Sequence, residues 1–387
     1  MIKMLTACTR EIDYVDEAVE ELLGQLDLAH SQLKNSVGIV HCPEDFLDSG
    51  VVEALKGKLP FDLVGCTTSG TVACGEFGQL LLTLSVLTSD DVCFAAGISE
   101  KVGNDAAGAV KDLYARIEAE LPERPKLLLT FVPFSPLISG DEFVAEMDKV
   151  SGGAPVFGTR SFGTTIDLTN LYTIYNDQYD TDKIVIVAAG GDISPEFLVA
   201  YVSEDRVFKQ KAIITAAERN ILRGVNNISA ADYFVSMGLI EKGNIRGIST
   251  MPILINLNDG TPALMRTAFR LADKEGGILF GGEMPVGAIL SIAIMDANDV
   301  VSSAENTLQE ALAKAKGKSL LIYSCAARSF VLGAEGDAEM EKIAQCMAGA
   351  PTVYQASYSG GEICPVFDKE GKMFNRFNNN VLIICIL

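Results

Sequence analysis

The sequence predicts an α/β fold in which mixed sheets are covered by helices. Amphipathic helical segments alternate with short apolar runs of strand length. Paired apolar runs such as 80–87 and 92–98 are separated by a short polar break at Ser89, Asp90 and Asp91, which reads as a hairpin; short loops join antiparallel strands, so the sheets are not purely parallel. A strand feeding a glycine-framed turn recurs as Leu-Val-Gly-Cys-Thr-Thr-Ser-Gly at 63–70, Val-Phe-Gly-Thr-Arg-Ser-Phe-Gly at 156–163 and Ala-Ser-Tyr-Ser-Gly-Gly at 356–361. Aligned on the final glycine, these turns place Gly65, Gly158 and Ala356 first, Thr68, Ser161 and Ser359 fourth, and Gly70, Gly163 and Gly361 last.

The first two turns lie 93 residues apart and the next two 198. The doubled gap suggests four units of about 95 residues, with a degenerate third near Asn258-Asp259-Gly260-Thr261. Paired, the units give two domains, 1–205 and 206–387, each built as helix, strand, helix, turn and hairpin. A helix–sheet–sheet–helix sandwich is the expected layering in at least one half.

Taken in order, Ile12, Val15, Val19, Leu22 and Leu26 recur at helical spacing after a short N-terminal strand. A strand at 37–41 and a helix at 50–58 lead into the first turn. Asn104 is placed to cap a helix bearing Val110, Leu113 and Ile117. A strand follows at 127–132, and Ser139-Gly-Asp-Glu142 has the spacing of a capping box before a helix with Phe143, Met147 and Val150 inward. Strands at 171–175 and 184–189 complete the second repeat. The polar stretch 203–227 reads as a link between halves. After it come a helix at 229–239 and strands at 252–256, 263–270, 277–280 and 288–295. Ser302-x-x-Glu305 caps a further helix, a strand runs 320–325, and Met340, Ile343 and Met347 mark the last helix.

With 48% hydrophobic and 21% charged residues the chain is globular, and no apolar run is long enough to cross a bilayer. A net charge of −20 argues against nucleic acid and anionic membrane surfaces as partners. Nine cysteines without Cys-x-x-Cys, and an N-terminus without a secretory pattern, point to a cytoplasmic location. Only His30 and His41 are available as imidazole ligands, so no metal or cofactor is expected, and haem through either histidine is the weaker alternative.

Cys66 lies in a turn where backbone donors can activate a thiol, so a thiol-dependent enzyme using Cys66 or Cys325 is the alternative of a different class. Ser161 and Ser359 miss the nucleophile-elbow spacing by one residue, and Glu76 follows Gly75 where a phosphate loop needs lysine. Arg160, Arg246 and Arg328 lie near turns or strand ends, where an arginine fork holds either a ligand carboxylate or an internal acid. Glu283 and Glu362, each after a Gly-Gly pair, hold an amine or structure their loops.

The segments 64–70, Tyr323-Ser324-Cys325-Ala326-Ala327-Arg328, Tyr358-Ser359-Gly360-Gly361-Glu362-Ile363 and the late Asn378 together resemble the FIST family across nearly the whole chain. The chain departs from that pattern at Ala356, at Gly360 and at Phe377, where the family commonly has glycine, an aromatic residue and histidine. The resemblance implies an intracellular sensory module that binds a small ligand and passes its occupancy to a separate signalling protein. The expected activity is therefore binding rather than catalysis: an amino acid or small carboxylate in a cleft between the halves, signalling by conformational change. The residues expected to line it are Gly65, Cys66, Thr67, Thr68, Ser69, Gly70, Arg160, Ser161, Ser324, Cys325, Arg328, Tyr358, Ser359, Gly361 and Glu362.

Overall fold

The computed structural model describes residues 2–103, 105–164, 168–241 and 243–387. Its α/β architecture is that of mixed sheets and covering helices. The first unit runs β1 (Lys3–Thr9), α1 (Val15–Leu26), α2 (Leu28–Ser31), β2 (Asn35–Cys42), α3 (Asp45–Asp48), α4 (Val51–Lys56), β3 (Leu63–Thr67), a hairpin of β4 (Thr71–Ala73) and β5 (Glu76–Gly78), and β6 (Leu82–Ser89). The second repeats this order: β7 (Val92–Ile98), α5 (Ala106–Ala119), β8 (Leu127–Val132), α6 (Gly140–Ser151), β9 (Val156–Arg160), hairpin β10 (Thr173–Tyr175) and β11 (Gln178–Asp180), and β12 (Val185–Gly191).

The third unit opens with β13 (Glu196–Ala200) and is interrupted by β14 (Ala212–Glu218), β15 (Ile221–Val225), β16 (Ile228–Ser229), α7 (Ala230–Ser236), β17 (Ile253–Asn256), β18 (Leu264–Arg266), β19 (Ala268–Leu271), β20 (Ile278–Phe280) and β21 (Ile289–Ile292). It resumes with α8 (Ala297–Ala315), β22 (Leu320–Cys325), α9 (Ala326–Leu332), α10 (Ala338–Met347), β23 (Tyr354–Ser359), hairpin β24 (Glu362–Phe367) and β25 (Met373–Asn378), and β26 (Leu382–Ile386).

Among the described residues the units form three six-stranded sheets of one topology: β1-β6-β2-β3-β10-β11, β7-β12-β8-β9-β24-β25 and β13-β26-β22-β23-β4-β5. In each, one central pair is parallel (β2 with β3, β8 with β9, β22 with β23) because helices bridge it. In each, the last two strands come from another unit. The hairpin after β3 completes the third sheet, the hairpin after β9 the first, and the hairpin after β23 the second.

Successive side chains on a strand face opposite ways, and both faces of these sheets are buried. Inward residues of all three sheets, including Ile39, Leu129, Leu321, Phe131 and Tyr323, share one central core. Outward residues pack against the unit's own helices: Leu22 and Leu55 in the first, Leu113 and Met147 in the second, Leu308 and Ile343 in the third. The sheets thus surround a common core in threes rather than facing each other as a sandwich. Strand register makes His41, Phe131 and Tyr323 equivalent, and the histidine ring meets the other two at 5.7 and 5.4 Å.

The doubled gap between turns is an insertion rather than a fourth unit. Residues 207–293 leave and return beside each other at the Val207–Ala293 bridge, and their eight-stranded sheet carries its own core around Phe234, Leu222 and Ile253. From Val207 onward the stretch 203–227 is therefore part of this insertion, and strand pairing crosses the expected 205/206 division. The expected hairpin at Ser89, Asp90 and Asp91 is instead a corner: β6 pairs with β1 and β2, while β7 pairs with β12 in another sheet. Two continuous apolar runs look the same either way, because both strands are buried on both faces.

Ser139 caps α6 through the Glu142 amide as its spacing predicts. Asn104 lies outside the described residues, and Asp105 caps α5. The helix expected from Ser302 starts earlier, at a capping box of Asp296 and Asp299.

Gly65 and Gly158 are where neighbouring backbone passes too close for a side chain. A Cβ would stand 1.8 Å from the Val40 carbonyl oxygen at Gly65 and 2.2 Å from that of Thr130 at Gly158. The third equivalent position, Ala356, carries its methyl buried. Gly158→Ala is expected to lower stability by about 2 kcal/mol or more by overpacking, whereas Ala356→Gly costs about 1 kcal/mol from added chain entropy. Urea unfolding of the two variants checks this difference.

Candidate functional site

The crossover loops that hand the chain from one sheet to the next meet at one end of the barrel. The Thr68 hydroxyl lies 2.7 Å from the Tyr358 carbonyl oxygen, and the Tyr358 amide donates to Gly70 at 2.9 Å. The Phe162 amide donates to Thr67 at 3.0 Å, and Arg160 exchanges backbone hydrogen bonds with Gly361 and Gly360, each 3.0 Å. The Thr159 hydroxyl donates to Ser359 at 2.7 Å. Each loop therefore touches both others, and the residues expected from 65–70, 160–161 and 358–362 are brought together as a closed ring.

Most of these side chains hold the ring itself. Thr67 Oγ1 accepts from the Tyr172 amide at 2.9 Å, and Ser161 accepts from Phe134 and donates to Leu171. Gly70 lies against the Tyr358 ring, and the Tyr358 hydroxyl donates to Gly336. The Ser69 hydroxyl has no partner. Arg160 commits Nε and Nη2 to the carbonyls of Pro133, Ser135 and Ile138, with Phe134 stacked 4.7 Å from its guanidinium.

Arg328 is buried under α8 and α10. Its Nε and Nη2 hold Glu339 Oε1 at 2.8 and 2.6 Å, Nη2 also reaches Val300 and Ser303, and Ser324 donates to the other Glu339 oxygen at 2.8 Å. Both arginines thus show the internal use of the fork. Arg246 is exposed. The buried arginine that joins the inserted sheet to the three surrounding sheets is Arg266, which sequence reasoning missed. It is fully buried, donates to the Phe377 carbonyl at 2.7 Å and pairs with Asp141 at 2.6 Å; Asp141 in turn accepts from the Glu283 amide.

Next to this seam lies the feature with unmet chemistry. Glu362 is fully buried, and neither carboxylate oxygen has a partner at hydrogen-bond geometry. Burial pushes its carboxyl well above the ordinary carboxylate range, although Ser359, Cys325, Arg328 and the Val381 amide lean the other way. The inserted sheet closes over it: Asn379 donates its amide to Met265, Asn378 Oδ1 accepts from Met265, and Asn380 Nδ2 donates to Thr267 at 2.7 Å. Asn379 Oδ1 and Asn380 Oδ1 remain unmatched, as does Asn378 Nδ2. Unmatched acceptors outnumber donors in this cluster. The run Asn378-Asn379-Asn380 was the sequence signal for it, since three consecutive amides in a buried turn need partners.

Gly361 at φ 140° abuts the Phe377 ring, which also fills the space over Gly140. Phe377 therefore packs as a core residue at the position where a histidine was noted as commoner. Phe134 covers Gly360 and begins a row of rings: Phe162 at 6.2 Å and Phe269 of the inserted sheet at 6.0 Å, with exposed Phe330 6.5 Å from Phe162.

The cysteines named in the alternative, thiol-dependent reading are both buried. Cys66 is fully buried in the central core 3.7 Å from His41 Nδ1, and burial pushes its thiol well up. Burial and the Glu362 carboxylate do the same to Cys325. A thiol held protonated is a poor nucleophile. Burial pushes His41 down to about 4, so the imidazole is neutral, and its Nε2 has no partner. His30 is exposed and paired with Asp27 at 2.7 Å. Among the described residues no group of three or more His, Cys, Asp or Glu side chains is arranged to hold a metal, and no helix is long and apolar enough to cross a membrane. Two surface recesses, of about 600 and 710 Å³, lie away from the loop ring, around Cys74.

A family profile for the FIST N domain matches residues 36–228, and one for the FIST C domain matches residues 230–365. No curated protein matches the chain. Among solved structures, the cyanuric acid hydrolase from A. caulinodans aligns at 10% identity and a TM-score of 0.37, covering all of this chain and 98% of that one. T. maritima PurL complexed with ATP aligns at 8% identity and a TM-score of 0.20, covering all of this chain and 71% of that one.

Two outcomes follow from the buried charges. Glu339→Ala strands the Arg328 guanidinium and is expected to cost about 3–5 kcal/mol in denaturant unfolding, while the double change Arg328→Met, Glu339→Leu recovers most of the loss. Because the folded state raises the Glu362 pKa, its stabilising contribution is complete below the unfolded value of about 4.3 and is lost as pH climbs towards the folded value. Glu362→Gln removes that titration. The melting temperature of the variant minus that of the natural protein is therefore expected to grow between pH 5 and pH 8, as followed by calorimetry.

Proposed function

This chain belongs to the FIST family, whose domains are associated with signal transduction and sensing, and on that premise we propose that it is a sensor whose ligand is a small metabolite carrying an amine, an amino acid included. The observation that carries this reading is the Glu362 carboxylate, fully buried, with Ser359, Cys325 and the Val381 amide nearby but none of them at good hydrogen-bond geometry. Desolvating a carboxylate costs several kcal/mol, offset only by protonation or by a cation with donors of its own. An ammonium group supplies both, and Asn379 Oδ1 and Asn380 Oδ1 offer it further acceptors. The ring row from Phe134 to Phe269 and Phe330 suits the same charge, since aromatic faces attract cations. Arg160 and Arg328, by contrast, already serve internal acceptors, which removes the support for a ligand recognised through a carboxylate alone.

The signal in this reading is the docking of the inserted sheet. Its seam with the barrel is largely polar: Arg266 with Asp141, Arg219 with Glu142, Arg376 with Asp259, and Ser139 with Glu283. Polar seams of this kind join parts that move relative to one another. A ligand bound between Glu362 and the inserted sheet favours one docking state by its differential affinity, and a separate signalling protein reads that state. The protein acts here by binding, not by turnover.

Thermal-shift titration with free amino acids and polyamines, against matched carboxylic acids lacking the amine, tests the proposal. A ligand at a hundred times its dissociation constant adds about 2.7 kcal/mol of apparent stability. The expected result is a saturable rise with at least one amine that disappears in Glu362→Gln. A rise that persists in the variant, an equal rise with the amine-free acids, or no rise with any amine would overturn it.

A further inference from the structure

The two recesses outside the loop ring meet at one residue. Cys74 lines both, together with Cys8, Arg10 and Glu76 on one side and Phe77, Glu341 and Tyr354 on the other. Cys74 is exposed, Cys8 is buried in the wall beside it, and both residues line the same recess. Cys74 Sγ also lies 3.5 Å from the Thr6 hydroxyl. Of the other buried cysteines, Cys66, Cys364 and Cys385 lie in the central core, Cys42 lies beneath the first pair of helices, and Cys325 lies beside Glu362.

The backbone sets Cys74 in this position at a cost. Cys74 and Gly75 form the two-residue turn of the hairpin between Ala73 and Glu76, with φ of 54° and 82°. Such turns favour asparagine, aspartate or glycine at the first place, because left-handed backbone is unfavourable by roughly 1–2 kcal/mol for an ordinary side chain. The turn nonetheless carries a cysteine and sets it beside Thr6, in the recess that Cys8 also lines. Cys8 is on β1 of the first unit, whereas the hairpin that bears Cys74 completes the third sheet through β23.

We propose that Cys8 and Cys74 are a redox pair that closes to an intramolecular disulfide when a hydroperoxide enters this recess, stapling the exchanged hairpin to the first strand. The donors from Cys8 and Thr6 favour the Cys74 thiolate, which is pushed down to about 6, while Cys8 is pushed up by burial and by its thiolate neighbour. In the first step the Cys74 thiolate attacks a peroxide oxygen, the O–O bond breaks, and hydroxide or alkoxide leaves. Sulfur is oxidised by two electrons to the sulfenic acid and the peroxide is reduced. In the second, the Cys8 sulfur attacks the sulfenic sulfur, the S–S bond forms, and hydroxide leaves with the Cys8 proton as water. No group beyond the hydroperoxide is required. The proposal is independent of the ligand assigned to Glu362.

Reduced protein treated with an equimolar amount of hydrogen peroxide, alkylated in denaturant and weighed intact, tests this. The expected product is a monomer carrying seven alkyl groups in place of nine and 2 Da lighter than the reduced chain with seven such groups, with Cys8 and Cys74 joined in the peptide map. Cys74→Ser, a change in an exposed turn, is expected to abolish the 2 Da loss. Cys8→Ser is expected to leave a Cys74 sulfenic acid that a cyclic dione traps. A 2 Da loss that survives Cys74→Ser, a link between other cysteines or between chains, or gain of oxygen without loss of 2 Da in the natural sequence would overturn it.

Discussion

The constraint on which the rest of the structure depends is that no unit completes its own sheet. Each of the three ends its parallel pair at a crossover loop and gives its next hairpin to another unit, so every six-stranded sheet is finished by foreign strands. An unpaired strand edge leaves backbone donors and acceptors exposed, and here those edges are covered only once all three units are assembled. The glycines of the crossover loops follow from this, because at Gly65 and Gly158 one strand runs against the carbonyl of the other too closely for a methyl group. The ring of backbone hydrogen bonds among Thr67, Gly70, Arg160, Tyr358 and Gly361 follows as well, since three segments of the chain change sheets at the same end of one shared core.

That geometry decides the chemistry of the buried groups. Hydroxyls at Thr68, Ser161 and Ser359 look available in the sequence, yet in a ring this tight they bridge neighbouring backbone. The same burial raises the thiols of Cys66 and Cys325 and lowers His41, so desolvation prevails over the weak donors near them and each rests in its neutral form. Glu362 stands apart because the third crossover passes directly into a strand of the next sheet, facing Asn378 across the hairpin, where the inserted sheet covers it without supplying a donor.

The class of the fold, the mixed pairing, the helix positions and the recurring turn were legible, because amphipathic spacing and glycine placement are local signals. The identity of strand partners was not. Residues 89–91 look the same whether the flanking runs pair or part, and Cys74-Gly75, the turn of an exchanged hairpin, resembled a failed phosphate loop. The 198-residue gap counted as two units because an insertion happened to match the length of one; only the Val207–Ala293 closure distinguishes the two cases. Of the candidate site, Glu362 and the three turns were visible by their glycines. Arg266, Asp141 and Asn379 were not, since their partners lie more than a hundred residues away or across the seam.

The account rests on the three exchanges forming one cooperative body, and native-state hydrogen exchange measures that most directly. Amides joining β4 to β23, β10 to β3 and β24 to β9 are predicted to exchange with one common opening free energy, equal to that of global unfolding, as expected when none can open without the others. If one of these joints exchanged through a separate opening of lower energy while the other two stayed protected, the units would be independent and the account would be contradicted.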